Sequence, residues 1–458
     1  MAKQELQEKQ HRILEFYSGI GGMHYAFDLS GYQGQVLKAF DINTTANEVY
    51  AHNHGKKQLA QRNIEAVPKE FYDKQQADVW LMSPPCQPYT RTGNQEGSKD
   101  TRAKSFLYLM SILPELEHQP SYLLLENVKG FEESDSRDLL VETLTKCGYE
   151  YQELLITPLQ IGIPNSRMRY YCLARKTDKV GPFQRPVTGT LIGYIPSSAK
   201  DSIDQDGFVD TRRQGELSGL STSASARAAA AAETTTTTAI TASTAEKHPA
   251  SPAPDTEEGA EKNNTTKKRR TSVETKINVS TADRQELHKP NEDDILQDPV
   301  RASQIDPLAD YIEFLDKDDE RMARYTISDN TLLKYGRLFD IVKPSTRRSC
   351  CFTKGYHHFV ESTGSILQMV EDMDTAAVYE EAMALKGTEE GDAKALTLLR
   401  SLQLRYFTEG EIARLMGFPI QDGRFSFPEK TTLKQRYRVL GNSINVKVVS
   451  ELIRYLLA

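Results

Sequence analysis

Short apolar runs that alternate with amphipathic stretches over the first 180 residues constrain the fold of this chain more than any other feature. The strand-like runs are Ile13–Tyr17, Gln35–Phe40, Val79–Met82 and Tyr122–Leu125, followed by the pair Tyr151–Thr157 and Tyr170–Ala174. Between them, Phe106–Leu116 and Asp138–Cys147 carry helical periodicity. That order predicts an α/β fold with a doubly wound parallel sheet and crossover helices. A mixed region to about residue 400 follows, and the chain closes with helical Glu409–Met416 and Val446–Leu457. We therefore expect a first domain over 1–180, a smaller second domain over 181–400, and last helices over 401–458 that return to the first domain.

A hydrophobic content of 38% over 458 residues is low for one globule, so something long and polar must dilute it. Residues 211–300 are that segment: they contain no Phe, Trp or Tyr, and carry an Ala228–Ala232 run and a Thr234–Thr238 run. Such a stretch cannot bury enough apolar surface to offset the entropy of ordering it, which predicts a disordered insertion. Residues 201–300 hold 18 Asp and Glu against 12 Lys and Arg, so most of the chain's net charge of −7 resides there. The remainder is near neutral, and overall acidity says nothing against a nucleic-acid partner. Within the insertion, Lys267-Lys268-Arg269-Arg270 reads either as a nuclear-import signal or as a solvated basic cluster.

Five cysteines without CxxC spacing (Cys86, Cys147, Cys172, Cys350, Cys351) indicate neither a disulfide framework nor a zinc site, and no metal is expected. The first residues lack the apolar core of a signal peptide, and no apolar run approaches a membrane span. The expectation is a soluble intracellular protein with no membrane partner.

Pro84-Pro85-Cys86-Gln87 ends the third run, so Cys86 is placed at the C-terminal edge of a buried strand. In open α/β sheets that edge binds ligands, which makes Cys86 a candidate nucleophile; read alone, it fits better as a small buried hydrophobe, as most free cysteines are. Glu15–Gly22 (EFYSGIGG) follows the first strand and precedes a helix. Its glycines allow a tight turn and close approach to a nucleotide-like cofactor, although a plain structural turn remains open. Asp41 ends the second strand, where a carboxylate accepts both hydroxyls of a ribose or caps a helix. Glu126 follows the strand Tyr122–Leu125 at the same edge as Cys86, as an acid, a cap or an ion-pair partner. Arg167 and Arg169 alternate onto one face before the last strand, where guanidinium groups hold a carbonyl or a phosphate.

Taken in order, EFYSGIGG, the acidic end of strand two, PPCQ, Glu126-Asn127-Val128, Arg167-Met168-Arg169 and Gly441-Asn442-Ser443 resemble the cytosine-C5 methyltransferases. Pro84–Gly93, Asp41–Tyr50, Ile161–Tyr171, Cys351–Tyr356 (CFTKGY) and Leu440–Val446 resemble the RNA-acting branch of that family. The resemblance covers roughly 11–180 and 305–458. Asn165 stands where DNA-acting members usually carry Gln, Tyr89 replaces Phe, and the insertion has no counterpart in the usual pattern.

The resemblance implies a Rossmann-like S-adenosylmethionine-dependent methyltransferase with a smaller target-recognition domain that carries the insertion. Cys86 would add to C6 of cytosine, Glu126 would bond N3 and the exocyclic amine, Arg169 would hold the C2 carbonyl, and Arg167 would support it. The methyl donor would lie against Gly19, Ile20, Gly21 and Gly22, with its ribose on Asp41 and its adenine near Tyr17, Ile64 and Glu65. Ser83, Asn442 and Ser443 would close that pocket, and S-adenosylhomocysteine would leave it. No residue stands out as the final base, and water can serve. The implied substrate is tRNA at cytosine 38 of the anticodon loop, typically of aspartate tRNA, with Arg91, Arg347, Arg348 and Lys354 as phosphate contacts. A cytoplasmic monomer, also nuclear if the basic cluster acts as a signal, completes the expectation. The alternatives are a DNA cytosine-5 methyltransferase and a weakly active nucleic-acid-binding protein of the same fold. An NAD-dependent enzyme leaves PPCQ unexplained.

Overall fold

Eight strands form the central sheet of a computed structural model that describes residues 10–85, 103–184, 191–196, 291–314 and 319–458. They are β1 (His11–Phe16), β2 (Gly34–Phe40), β3 (Leu59–Ala60), β4 (Val79–Met82), β5 (Tyr122–Val128), β6 (Tyr149–Ile156), β7 (Arg169–Lys176) and β8 (Leu191–Ile192). Their order is β3-β2-β1-β4-β5-β7-β6-β8. β1 pairs in parallel with β2 and β4, and β4 with β5, the register setting Ile13 against Val79 and Leu81 against Leu124.

The central strands read as unbroken apolar runs because both faces of the sheet are covered. Ile13, Val79, Leu81 and Leu124 face one core, shared with α1 (Gly22–Ser30) and α2 (Thr44–His54). Leu14, Phe16, Trp80, Met82, Leu123 and Leu125 face the other, with α3 (Lys69–Gln75), α4 (Lys104–Ile112) and α5 (Asp135–Lys146). The helix expected over Phe106–Leu116 stops early: Pro114 has no N–H to continue it, and Leu113–Glu115 tightens into a 3₁₀ turn.

Three expectations are corrected. The sheet is not all parallel, since β7 runs antiparallel to both β5 and β6. β5 runs three residues beyond Leu125, so Glu126 lies within the strand, opposite Tyr171, and not after it. The polar insertion ends sooner than residue 300, because Glu292–Gln297 (α6) and Pro299–Gln304 (α7) are helices. Ile295 and Ile305 pack on Leu159, and Thr157 Oγ1 donates to Glu292. Residues 197–290, which include Lys267–Arg270, lie outside the described residues.

The C-terminal half adds a small three-stranded sheet, β9 (Ile341–Val342), β10 (Ile366–Gln368) and β11 (Leu404–Tyr406). Helices α8 (Asp329–Tyr335), α9 (Thr375–Leu385) and α10 (Glu389–Ser401) enclose with it a core of Leu332, Ile366, Tyr379, Ala382, Ala395, Leu399 and Leu404. From β11 the chain passes through α11 (Glu409–Leu415) and α12 (Leu433–Gly441) to α13 (Val446–Leu457). α13 joins the core of α1: Val448, Val449, Leu452, Ile453 and Leu456 bury there, and Tyr455 Oη donates to Gln152 Oε1 on β6 at 3.0 Å. Among the described residues no helix is long and apolar enough to cross a membrane.

Candidate active site

The turn after β1 is built from left-handed backbone. Tyr17 has φ 60°, Gly19 φ 54° and Gly21 φ 87°, so the chain reverses at the sheet edge and enters α1 directly. A tyrosine in that region costs about 1 kcal/mol or more. Two bonds hold it: Ser83 Oγ donates to the Tyr17 carbonyl at 3.1 Å, and Tyr17 Oη donates to Ser105 Oγ at 3.0 Å. A β-carbon on Gly19 would meet nothing nearer than 4.0 Å, so this residue leaves open space beside the backbone. Gly21 and Gly22 are tight for other reasons. A β-carbon would stand 2.5 Å from His54 Nε2 at Gly21 and 2.7 Å from Ile444 at Gly22.

Asp41 ties this turn to β2. Its Oδ2 accepts from Gly19 N at 2.8 Å and its Oδ1 from Asn43 N at 2.7 Å. Burial pushes its pKa up against those backbone donors. The cap of α2 is Asn43, whose side chain accepts from Ala46 N, so Asp41 is free of the capping role. The space above the turn is a cavity of about 420 Å³, lined by Tyr17, Gly19, Ile20, Asp41, Ile64, Glu65, Ser83, Asn442 and Ser443. These are all the expected cofactor residues except Gly21 and Gly22, which pack behind the turn. Phe40, Ile42, Asn43, Asn63 and Ser105 also line it and were not anticipated. Ile42 is 67% exposed, an apolar side chain left uncovered beside the Asp41 carboxylate.

The second group converges at the neighbouring edge. Glu126 on β5 is buried, with Oε1 3.5 Å from Arg169 Nε at the start of β7. Burial raises the Glu126 pKa, and Arg169 and then Arg167 oppose that rise without cancelling it. Asn127 Nδ2 donates to Pro84 O at 3.3 Å, which ties β5 to the Pro-Pro segment, and Pro85 lines the cavity. Cys86, Tyr89 and Arg91 lie outside the described residues.

Arg167 is buried and bridges distant parts of the chain. It donates to Cys351 Sγ at 3.1 Å, to the Phe352 carbonyl at 3.2 Å and to the Ser443 carbonyl, so one guanidinium links the β7 edge to the cavity wall. Arg169 Nη2 lies 3.7 Å from the same sulfur. Burial would raise the Cys351 pKa, but the two guanidinium groups outweigh it and the thiol falls below its ordinary value. Cys351 thus belongs to the Glu126–Arg167–Arg169 group, a role for which its place in CFTKGY was not read.

The profile of the C-5 cytosine-specific DNA methylase family matches residues 11–458, nearly the whole chain. The chain belongs to this family. Among curated relatives it is 39% identical to the human tRNA (cytosine(38)-C(5))-methyltransferase, over 97% of this chain and 98% of the relative. It is 33% identical to a Dictyostelium discoideum DNA (cytosine-5)-methyltransferase, over 98% and 95%. The crystal structure of a Spodoptera frugiperda DNMT2 mutant superposes with TM-score 0.66 at 32% identity, covering 98% of this chain and 100% of that one. The Schizosaccharomyces pombe Dnmt2 methyltransferase gives TM-score 0.61 at 31% identity, covering 98% of each chain.

Within this cytosine-C5 methylase, Asn165 has a definite task. Its Nδ2 donates to Ser349 Oγ and to the Cys350 carbonyl, both at 3.1 Å, clamping the arginine segment to the cysteine segment. Of the expected phosphate contacts, Arg348 Nη2 is 2.6 Å from Asp340 Oδ1, and Arg347, which is exposed, donates to the Ile305 carbonyl. Lys354 is exposed.

Proposed function

We propose that this methylase transfers a methyl group to C5 of cytosine 38 in tRNA, aspartate tRNA in particular, with Cys86 as the nucleophile. The observation that carries the reading is the convergence of Glu126, Arg167 and Arg169 at the strand edge that adjoins the Asp41 cavity. The cavity suits S-adenosylmethionine: Gly19 leaves room along the backbone, Asp41 offers spare lone pairs to a ribose, and Ile42 and Ile64 offer apolar surface to a purine. When bound, that cofactor supplies an electrophilic methyl group.

Cytosine C5 is too weak a nucleophile to accept a methyl group unaided. Addition of the Cys86 thiolate to C6 turns the ring into an enamine whose C5 carries the electron pair. Glu126, whose pKa burial raises, hydrogen-bonds N3 and stabilises the charge that develops there. Arg169 holds the C2 carbonyl, and Arg167 keeps Arg169 and the cavity wall in register. After C5 has been methylated, loss of its proton to water reforms the double bond and expels Cys86. The target must leave its stack to reach this edge, which costs least in a single-stranded loop.

The relative named as a DNA methyltransferase keeps duplex DNA as a second reading. Incubation with labelled S-adenosylmethionine and either tRNA or duplex DNA, with Cys86→Ala as control, separates the two. We expect label on tRNA from the wild type and none from Cys86→Ala. Label on DNA alone refutes the tRNA assignment, and equal labelling by Cys86→Ala refutes the nucleophile.

A further inference from the structure

Downstream of Cys351, the segment turns at Lys354–Phe359 and ends in an aromatic ring that is 62% exposed. The ring lies over Gly355, where a β-carbon would come within 2.9 Å of Phe359 Cδ2. Its backbone is pinned: Phe359 N donates to Gly355 O at 3.0 Å, and Thr363 Oγ1 donates to Phe359 O at 2.8 Å. His357, at φ 68°, stacks on Tyr437 with centroids 5.6 Å apart. A fixed turn thus holds a largely exposed phenyl ring, whose burial elsewhere would be favourable.

The turn sits beside both halves of the site. A β-carbon on Gly441 would stand 2.2 Å from Thr353 C and 2.3 Å from Lys354 N, so the 353–354 peptide rests directly on Gly441. The next two residues, Asn442 and Ser443, line the cofactor cavity. At the other end of the segment, Cys351 touches Arg167 and Arg169. Around the ring, Lys354, His357 and His358 are exposed, and Glu361 is the single acid between Lys354 and Ser365.

We propose that Phe359 is a stacking platform for the unpaired nucleobase that flanks the target cytosine, with Lys354 on the adjoining phosphate. This deepens the tRNA reading and rests on it. Turning the target base out of a loop strips its neighbour of a stacking partner, and an exposed aromatic ring on the turn that follows the 353–354 peptide replaces that partner. Stacking on aromatic side chains contributes about 1–3 kcal/mol per base and tolerates any base identity.

The test uses a tRNA carrying 2-aminopurine on either side of the target cytosine, one position at a time, with equilibrium binding read by fluorescence and methyl transfer followed separately. Wild type and Phe359→Trp should quench the probe at one of the two positions; Phe359→Ala and Phe359→Leu should not. In Phe359→Ala the KM for tRNA should rise about 5- to 150-fold, with thermal midpoint and S-adenosylmethionine affinity unchanged. Full quenching with Phe359→Ala, or a Phe359→Leu variant as effective as wild type, overturns the platform. Absence of transfer to tRNA by the wild type, with Phe359-dependent quenching retained, overturns the substrate reading and leaves the platform standing.

Discussion

Glu15 is a fully buried carboxyl on β1 whose pKa burial pushes up to about 8. It accepts from Tyr50 Oη at 3.2 Å, and Tyr50 Oη in turn lies 2.9 Å from His24 Nδ1. Burial drives His24 down to about 4, and His54, stacked on it at 3.9 Å, down to about 3. An acid whose folded pKa exceeds its unfolded value releases a proton on unfolding, so stability falls as pH rises from about 4.5 to about 8. The histidines act in the opposite sense and cost stability below their ordinary value of 6.5. From roughly pH 7.5, where the histidines are largely neutral in both states, to about 8, wild-type stability should fall with a slope of up to about 1.4 kcal/mol per pH unit. Glu15→Gln should flatten that slope in denaturant titrations, and equal slopes would refute the buried proton. At Glu126, substitution by Gln should lower kcat for tRNA by about 10²- to 10⁴-fold while leaving cofactor affinity within threefold. A kcat within a few-fold of wild type would remove Glu126 from the chemistry. Glu126, Arg167 and Arg169 were legible because each belongs to a short motif at a strand edge. Cys351 was not read as one of them, since its lowered pKa arises from two arginines more than 180 positions away in sequence.

β4 could be read to the residue because a strand covered on both faces leaves a run of four apolar residues between polar flanks. The direction of β7 could not be read. An antiparallel strand buried on both faces carries the same apolar run as a parallel one, and only its partners at Glu126 and Leu154 reveal its sense. Between β11 and α11, Arg405 and Glu411 form a two-pronged pair, with Nη2 to Oε1 at 2.7 Å and Nη1 to Oε2 at 2.9 Å, both residues almost wholly buried. Glu411 also accepts from Thr408 N and Glu313 N, so one carboxylate joins strand, helix cap and an incoming loop. Glu411→Ala should destabilise the protein by about 3–5 kcal/mol by stranding the Arg405 charge, and Arg405→Met with Glu411→Leu should recover most of that loss. A double variant no more stable than Glu411→Ala would assign the cost to the cap instead.

At the scale of the whole molecule, the polar segment and the site separate at a definite place. The segment's end is marked by contacts that composition does not record: Glu292 with Thr157, and Ile295 on Leu159. Deletion of residues 221–286 should leave tRNA methylation within a few-fold of wild type. Extension of the deletion through Gln297 should lower activity at least tenfold, because Glu292 and Ile295 brace the turn that leads to Arg167. Loss of activity in the shorter deletion, with the thermal midpoint unchanged, would give the segment a functional part. The seating of α13 against α1 bears on biosynthesis. Met23, Ala26 and Phe27 share a core with residues 446–457, so the first crossover helix emerges from the ribosome with its apolar face uncovered. At 5–20 residues per second, that face waits roughly 20–80 s for its cover to be translated. Docking of the last helix on α1 therefore completes this core only after nearly the whole chain has been made.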